Sequence, residues 1–195
     1  MEQEIRNADL SDMMCDLLYL LGCGVNEKMP AKAYIKTFQE AYDEDKMQMM
    51  YRFSTAHFVE ALTGTVLKKA GVKLPAEWEQ SIAKAIRKVI LFDRERVEIF
   101  SYMDEQRIWH MPLKGVILKE FYPSIGMRQM SDNDILFDKD YAKQIRDYMI
   151  SRGYEVEVFE QGNHDVYEKE PVYNFNRKSR AAYLYDKEVV VLIDE

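Results

Sequence analysis

Residues 131–137 read Ser-Asp-Asn-Asp-Ile-Leu-Phe, two acids two positions apart that run straight into an apolar stretch. Ile135, Leu136 and Phe137 predict a buried strand. Side chains alternate along a strand, so Asp132 and Asp134 share one face while Asn133 and Ile135 share the other. Two carboxylates this close repel, which is unfavourable unless one is protonated or a cation sits between them. Mg2+ takes oxygen ligands, and one or two carboxylates plus substrate phosphates commonly hold it. Asp132 and Asp134 are therefore candidate metal ligands and candidate catalytic residues for handling a metal-bound triphosphate. The competing reading is a solvated strand start with both acids facing water.

The flanking sequence adds to that picture. "RIWHMPLKG" predicts a strand that ends in a glycine turn, and "VILKEFYP" a short helix stopped by Pro123. Gly115 stands at this strand-to-helix junction. Free amides at a helix start favour phosphate, and a residue without a side chain lets it approach. Lys114 beside it adds charge. Arg128, four residues before Asp132, can pair with phosphate or with a surface acid. Downstream, "DKDYAKQIRDYMISRG" predicts a helix capped by Asp138, with Tyr141, Ile145 and Met149 as its stripe and Gly153 as its end. "YEVEVFEQG" alternates as a strand with one wet face, "DVYEKEPVYNFN" predicts another strand or pair, and "EVVVLI" a last short one.

Upstream of residue 107 the pattern is helical. Ser11 is a candidate cap and Gly22 or Gly24 a candidate stop for the first helix. Pro30 stands near the next start, with Tyr34, Ile35, Phe38 and Tyr42 at helical spacing. The pattern continues to Gly71. From Ala76 to Gln106, the residues Ile82, Ile86, Val89, Ile90, Val97 and Phe100 predict one broad buried stripe.

The 195 residues suffice for one generous domain or two small ones, and 47% apolar with 12% aromatic content marks a globular chain. The net charge of −7 argues against broad binding to DNA or another nucleic-acid backbone, but leaves room for a single nucleotide. Cys15 and Cys23 are expected as reduced, buried thiols of a cytoplasmic protein. The acidic start "MEQEIRNADLSDMM" predicts no signal peptide, and no apolar run approaches a membrane span.

The stretch "LKGVILKEFYPSIGMRQMSDNDILFDKDYAKQIRDYMISRGYEVE" resembles the core of the uncharacterised nucleotidyltransferase family within the polymerase-beta-like superfamily. Members of that family carry a helical N-terminal region and an L-K-G turn. An R-x-x-[SG]-D-x-D motif follows, then apolar residues and a helix ending at Gly-Tyr. This chain supplies Leu113-Lys114-Gly115, Arg128, Ser131-Asp132-x-Asp134 and Gly153-Tyr154, so the resemblance covers about residues 112–157. It implies an α+β fold: a helical N-terminal region over 1–106, then a nucleotidyltransferase-like core over 107–195 with a mixed sheet flanked by helices. It implies transfer of a nucleoside monophosphate from Mg-NTP to a small-molecule or protein acceptor. Asp132 and Asp134 would hold the metal, and Lys114, Gly115 and Arg128 would meet the nucleotide.

The chain departs from the pattern in three places. Val116 stands where the superfamily turn has Ser. Asn176 stands where a third carboxylate is expected, leaving Asp165, Glu168 and Glu170 as nearby substitutes. Family members usually continue with more helices, so a shortened member is the expectation for a chain that stops at Glu195. These departures support an alternative, a catalytically impaired nucleotide-binding or regulatory module, and a weaker one, a toxin-type nucleotidyltransferase. Of the remaining residues, His110 and His57 are expected to be packed or capped, and His164 lies between a substrate contact and a turn role. Trp78 and Trp109 are expected as core anchors, and Arg177, Lys178 and Arg180 as a solvated charge run.

Overall fold

The computed structural model describes residues 2–158, 165–168, 184–185 and 188–194, with side chains over 10–154. The chain is α+β, helical in its first half with a mixed sheet and flanking helices after it. Its residues group into two compact units, 1–89 with 121–129 and 90–120 with 130–195.

The first unit contains α1 (Glu2–Val25), α2 (Lys32–Ala41), α3 (Glu44–Ala56), α4 (Glu60–Lys69) and residues 76–89 of α5 (Ala76–Glu105). Between Glu60 and Lys68, α4 carries no charge, which is the composition of a helix buried on every side. Its residues Ala61, Leu62, Thr63, Gly64, Val66 and Leu67 are all buried. Gly24 lets α1 approach α4 closely, because a Cβ there would stand 2.7 Å from Leu62 Cδ2. Around α4 the core gathers Leu20, Phe38, Met50 and Trp78. Met13, Met47, Met50 and Met127 fill it, consistent with the adaptability of unbranched side chains.

Several helix ends differ from expectation. Ser11, Gly22 and Gly24 all lie inside α1. The helix ends at Val25, and the φ of 55° at Glu27 just beyond it lets the Lys28 amide donate back to the Cys23 carbonyl. Phe58 after α3 and Arg107 after α5 take the same left-handed conformation. These are Schellman-type ends made by residues other than glycine, so they left no glycine to read. Gly71 and Gly153, in contrast, do close α4 and α7 with φ of 83° and 88°.

The buried stripe of α5 includes Ile82 and Val89 as expected but differs further along. It runs through Trp78, Ile82, Ala85, Val89, Phe92, Ile99 and Met103, at alternating spacings of three and four once position 96 is counted. Ile90 and Val97 point to solvent. Cys15 is exposed rather than buried, while Cys23 is buried; both are free thiols.

The second unit holds residues 90–105 of α5, then β1 (His110–Pro112), α6 (Gly115–Leu118), β2 (Asp132–Asp138), α7 (Ala142–Ser151), β3 (Glu155–Val158), β4 (Asp165–Glu168), β5 (Leu184–Tyr185) and β6 (Glu188–Asp194). The strand order is β1-β2-β6-β4-β3, with β5 also against β6. β4 and β6 are parallel and the other pairs antiparallel. Asp138 caps the turn before α7, its Oδ1 accepting from the Asp140 amide at 3.0 Å. Ile99 and Met103 of α5, Ile135 and Phe137 of β2, and Ile145 and Met149 of α7 form one fully buried cluster. Each such side chain contributes about 1.5–3 kcal/mol of burial. This cluster covers one face of β2 and leaves Asp132 and Asp134 on the other.

Candidate functional site

β1 pairs with β2 so that Pro112 lies opposite Ile135, and the Leu113 amide then donates to the Asp134 carbonyl at 2.9 Å. That extra rung delivers the turn after β1 to the start of β2. The turn is closed by the Val116 amide donating to the Leu113 carbonyl at 3.2 Å. Within it Lys114 has φ 45° and ψ −116°, the first central position of a type II′ turn, where glycine is usual. A lysine held there carries backbone strain of about 1–3 kcal/mol, and such strain clusters at functional sites. Gly115 is buried and opens α6. That helix has only four residues, so its dipole is slight and the positive charge at this turn comes from Lys114.

The Lys114 ammonium lies 3.3 Å from Asp134 Oδ2. Asp134 is 2% exposed, and its Oδ1 is buried with no hydrogen-bond partner among the described residues. Burial, then the charge of Asp132, raise the Asp134 carboxyl above its ordinary value, and Lys114 only partly offsets them. Asp132 is less buried. An ionised carboxylate with one buried oxygen unpaired is costly unless a cation reaches it. The donor set therefore fits a hard divalent cation held by oxygen ligands.

Asn133, between the two acids, is fully buried and held by α5. Its Nδ2 donates to the Phe92 carbonyl at 3.1 Å, and its Oδ1 accepts from Arg96 Nη1 at 3.1 Å. Neither residue stood out in the sequence as functional. A signal existed: an amide predicted on the core face needs partners, and Arg96 occupies the position between Phe92 and Ile99 where the apolar stripe of α5 calls for a hydrophobe.

Arg128 belongs to the helical unit, where its Nη1 donates to the Gln129 carbonyl at 2.9 Å. Lys114, Gly115, Asp132 and Asp134 fall together in the other unit. Trp78 is a core anchor, whereas Trp109 is 54% exposed, contrary to expectation. It precedes β1 in alternation with the half-buried His110, which turns Trp109 and Met111 to the solvent side. His110 is partnered, with Nδ1 at 3.1 Å from the Ile108 carbonyl and its ring against Phe100. His57 caps α3 and packs edge-on against Phe53.

Among the described residues, no group of three or more His, Cys, Asp or Glu side chains stands close enough to hold a metal ion. The side chains of Asp165, Glu168 and Glu170 lie outside the described residues, as do His164, Asn176, Arg177, Lys178 and Arg180. The backbone register puts Asp132 opposite Asp194 of β6, and Asp194 opposite Glu168 of β4. No helix among the described residues is long and apolar enough to cross a membrane.

No curated protein and no solved structure matches this chain. A family model described as "Uncharacterised nucleotidyltransferase" matches residues 43–191, well over half of its length, and takes in the turn at Lys114 together with both acids. The chain belongs to that nucleotidyltransferase family.

Proposed function

We propose that this protein transfers a nucleoside monophosphate from Mg-NTP to a small-molecule or protein acceptor, working on residues 107–195 and in the cytoplasm. The observation that carries this reading is the unpartnered, buried Oδ1 of Asp134 beside Asp132, facing the strained Lys114 turn. Asp132 and Asp134 hold Mg2+ through their carboxylates. Lys114 pairs with the nucleotide phosphates, and Gly115 lets them approach the backbone. An acceptor oxygen bonds to the α-phosphorus, the bond from that phosphorus to the bridging oxygen breaks, and pyrophosphate leaves; the acceptor's proton is lost to solvent. Bound Mg2+ supplies charge neutralisation at the leaving pyrophosphate and polarises the acceptor oxygen. Side-chain work is then positioning and electrostatics more than acid–base chemistry.

A second reading, a nucleotide-binding module without turnover, rests on Lys114, whose ammonium already partners Asp134 without a metal. Calorimetric titration of each NTP with Mg2+, paired with a pyrophosphate-release assay, separates the two. The transferase reading expects metal-dependent binding that is lost in Asp132→Ala/Asp134→Ala, and pyrophosphate release that depends on the same residues. Binding without pyrophosphate release, across candidate acceptors, supports the second reading. Equal affinity in wild type and the double variant removes the metal-dependent transferase reading.

A further inference from the structure

Behind the carboxylates lies a chain of polar contacts, all within the sheet-bearing unit. Lys119 Nζ sits 3.0 Å from Asp93 Oδ2, and Asp93 Oδ1 lies 2.7 Å from Arg96 Nη2. Arg96 Nη1 donates to Asn133 Oδ1 at 3.1 Å, and Asn133 Nδ2 donates to the Phe92 carbonyl at 3.1 Å. The outer end of the chain is the Lys119 contact with Glu120. Charges alternate along it, so each group has a partner of opposite sign or a neutral amide. The side chains of Lys119 and Arg96 are only 11% and 13% exposed, a placement that long cations adopt only when paired.

The connectivity matters more than the energy. Lys119 follows directly after α6, the helix opened by the Lys114–Gly115 turn. Asn133 is the residue between Asp132 and Asp134. Both are fastened to one turn of α5, the span Phe92–Arg96. Alternation along β2 means that fixing the Asn133 side chain inward fixes its two neighbours outward. A buried amide has four hydrogen-bonding positions, and a one-residue slip of β2 would bury an acid against Arg96 and expose the amide.

We propose that the Asn133–Arg96–Asp93–Lys119 chain is a positioning device that sets the two carboxylates and the Lys114 turn at one fixed separation for a divalent cation. It rests on the metal-binding reading above. These are positioning residues: they act through Asp132, Asp134 and Lys114 and touch neither metal nor nucleotide. Outer partners that orient metal ligands typically hold 10–100-fold of metal affinity.

The test is Mn2+ affinity of the whole chain by calorimetry, with circular dichroism and a melting curve recorded for every variant. Asp134→Ala is the control for the metal reading. Asn133→Ala and Arg96→Met are expected to weaken Mn2+ binding by roughly 10-fold or more, and the double variant by no more than the worse single one. Arg96→Lys keeps the charge but reaches one partner rather than two, and is expected to fall between Arg96→Met and wild type. It also decides the matter if Arg96→Met does not fold. A folded Asn133→Ala or Arg96→Lys protein with lowered melting temperature but wild-type Mn2+ affinity overturns the inference while leaving the metal site standing. Unchanged affinity in Asp134→Ala overturns the metal reading and this inference with it.

Discussion

Lys114 combines two features that pull in opposite directions. Its φ of 45° is strained for any residue with a Cβ, yet its ammonium is the cation beside the buried Asp134. Lys114→Gly separates them. Relief of strain stabilises the protein by about 1–3 kcal/mol, offset in part by loss of the ion pair, while nucleotide affinity falls. Melting curves and Mg-NTP titration on the same variant check both signs; a variant that is less stable and binds equally well would discard the functional account of the strain. Asp134 supplies the matching pH prediction. Its carboxyl is raised in the folded protein above the ordinary 3.8, so the folded state binds the extra proton. Its contribution to stability is fully present below pH 3.8 and is lost as pH rises through the raised value. Asp134→Asn removes that titration. In metal-free buffer the variant is expected to be more stable than wild type at pH 7, with the difference shrinking toward pH 4, as urea unfolding at several pH values would reveal. Wild-type curves superimposable on those of Asp134→Asn would contradict it.

At the scale of the element, local chemistry decided what the sequence revealed. β2, the turn at Gly115 and the run from Asp138 to Gly153 were legible because alternation, cap and glycine each announce themselves within a few residues. The ends of α1, α3 and α5 were not, because Glu27, Phe58 and Arg107 adopt a conformation that only glycine or asparagine signals. On α5, Ile82 and Val89 face the core as their spacing predicts, but further along Arg96 interrupts the apolar spacing, and Ile90 and Val97 mimic its continuation from the exposed side. Asn133 and Arg96 meet across 37 positions, a separation at which no spacing rule operates. The positive-φ ends carry a direct prediction. Phe58 is exposed and left-handed, so Phe58→Gly removes about 1 kcal/mol of steric cost without emptying a core. A rise of roughly 2–4 °C in melting temperature is expected for a chain of this size; a fall would mean that the Phe58 ring packs in a way its exposure does not suggest.

Among the described residues two buried hydrophobic clusters form, and the chain places one tryptophan in each unit. Trp78 is fully buried in the helical unit, and its Nε1 is a buried donor with no partner among the described residues. Trp109 belongs to the sheet-bearing unit and is exposed. The Asp138 amide donates to the Trp109 carbonyl at 3.2 Å, so the residue continues the β1–β2 ladder four positions along from Asp134, about 13 Å at the rise of an extended strand. Alternation sets its ring on the same side of the sheet as the two acids. A nucleotide held at Asp132, Asp134 and Lys114 therefore lies within reach of Trp109, whereas Trp78 is fully buried in the core of its own unit. Trp78→Phe leaves Trp109 as the sole indole, and Trp109→Phe leaves Trp78. Iodide is expected to quench the first protein readily, and Mg-NTP to reduce that quenching. The second protein is expected to resist iodide with or without ligand. The loss of the Trp78 indole N–H removes an unpaired buried donor, so Trp78→Phe is tolerated better than a core truncation. Protection of Trp78, or an unaltered Trp109 in a protein that binds Mg-NTP by calorimetry, would place the nucleotide away from the Asp132–Asp134 strand and end the case for that site.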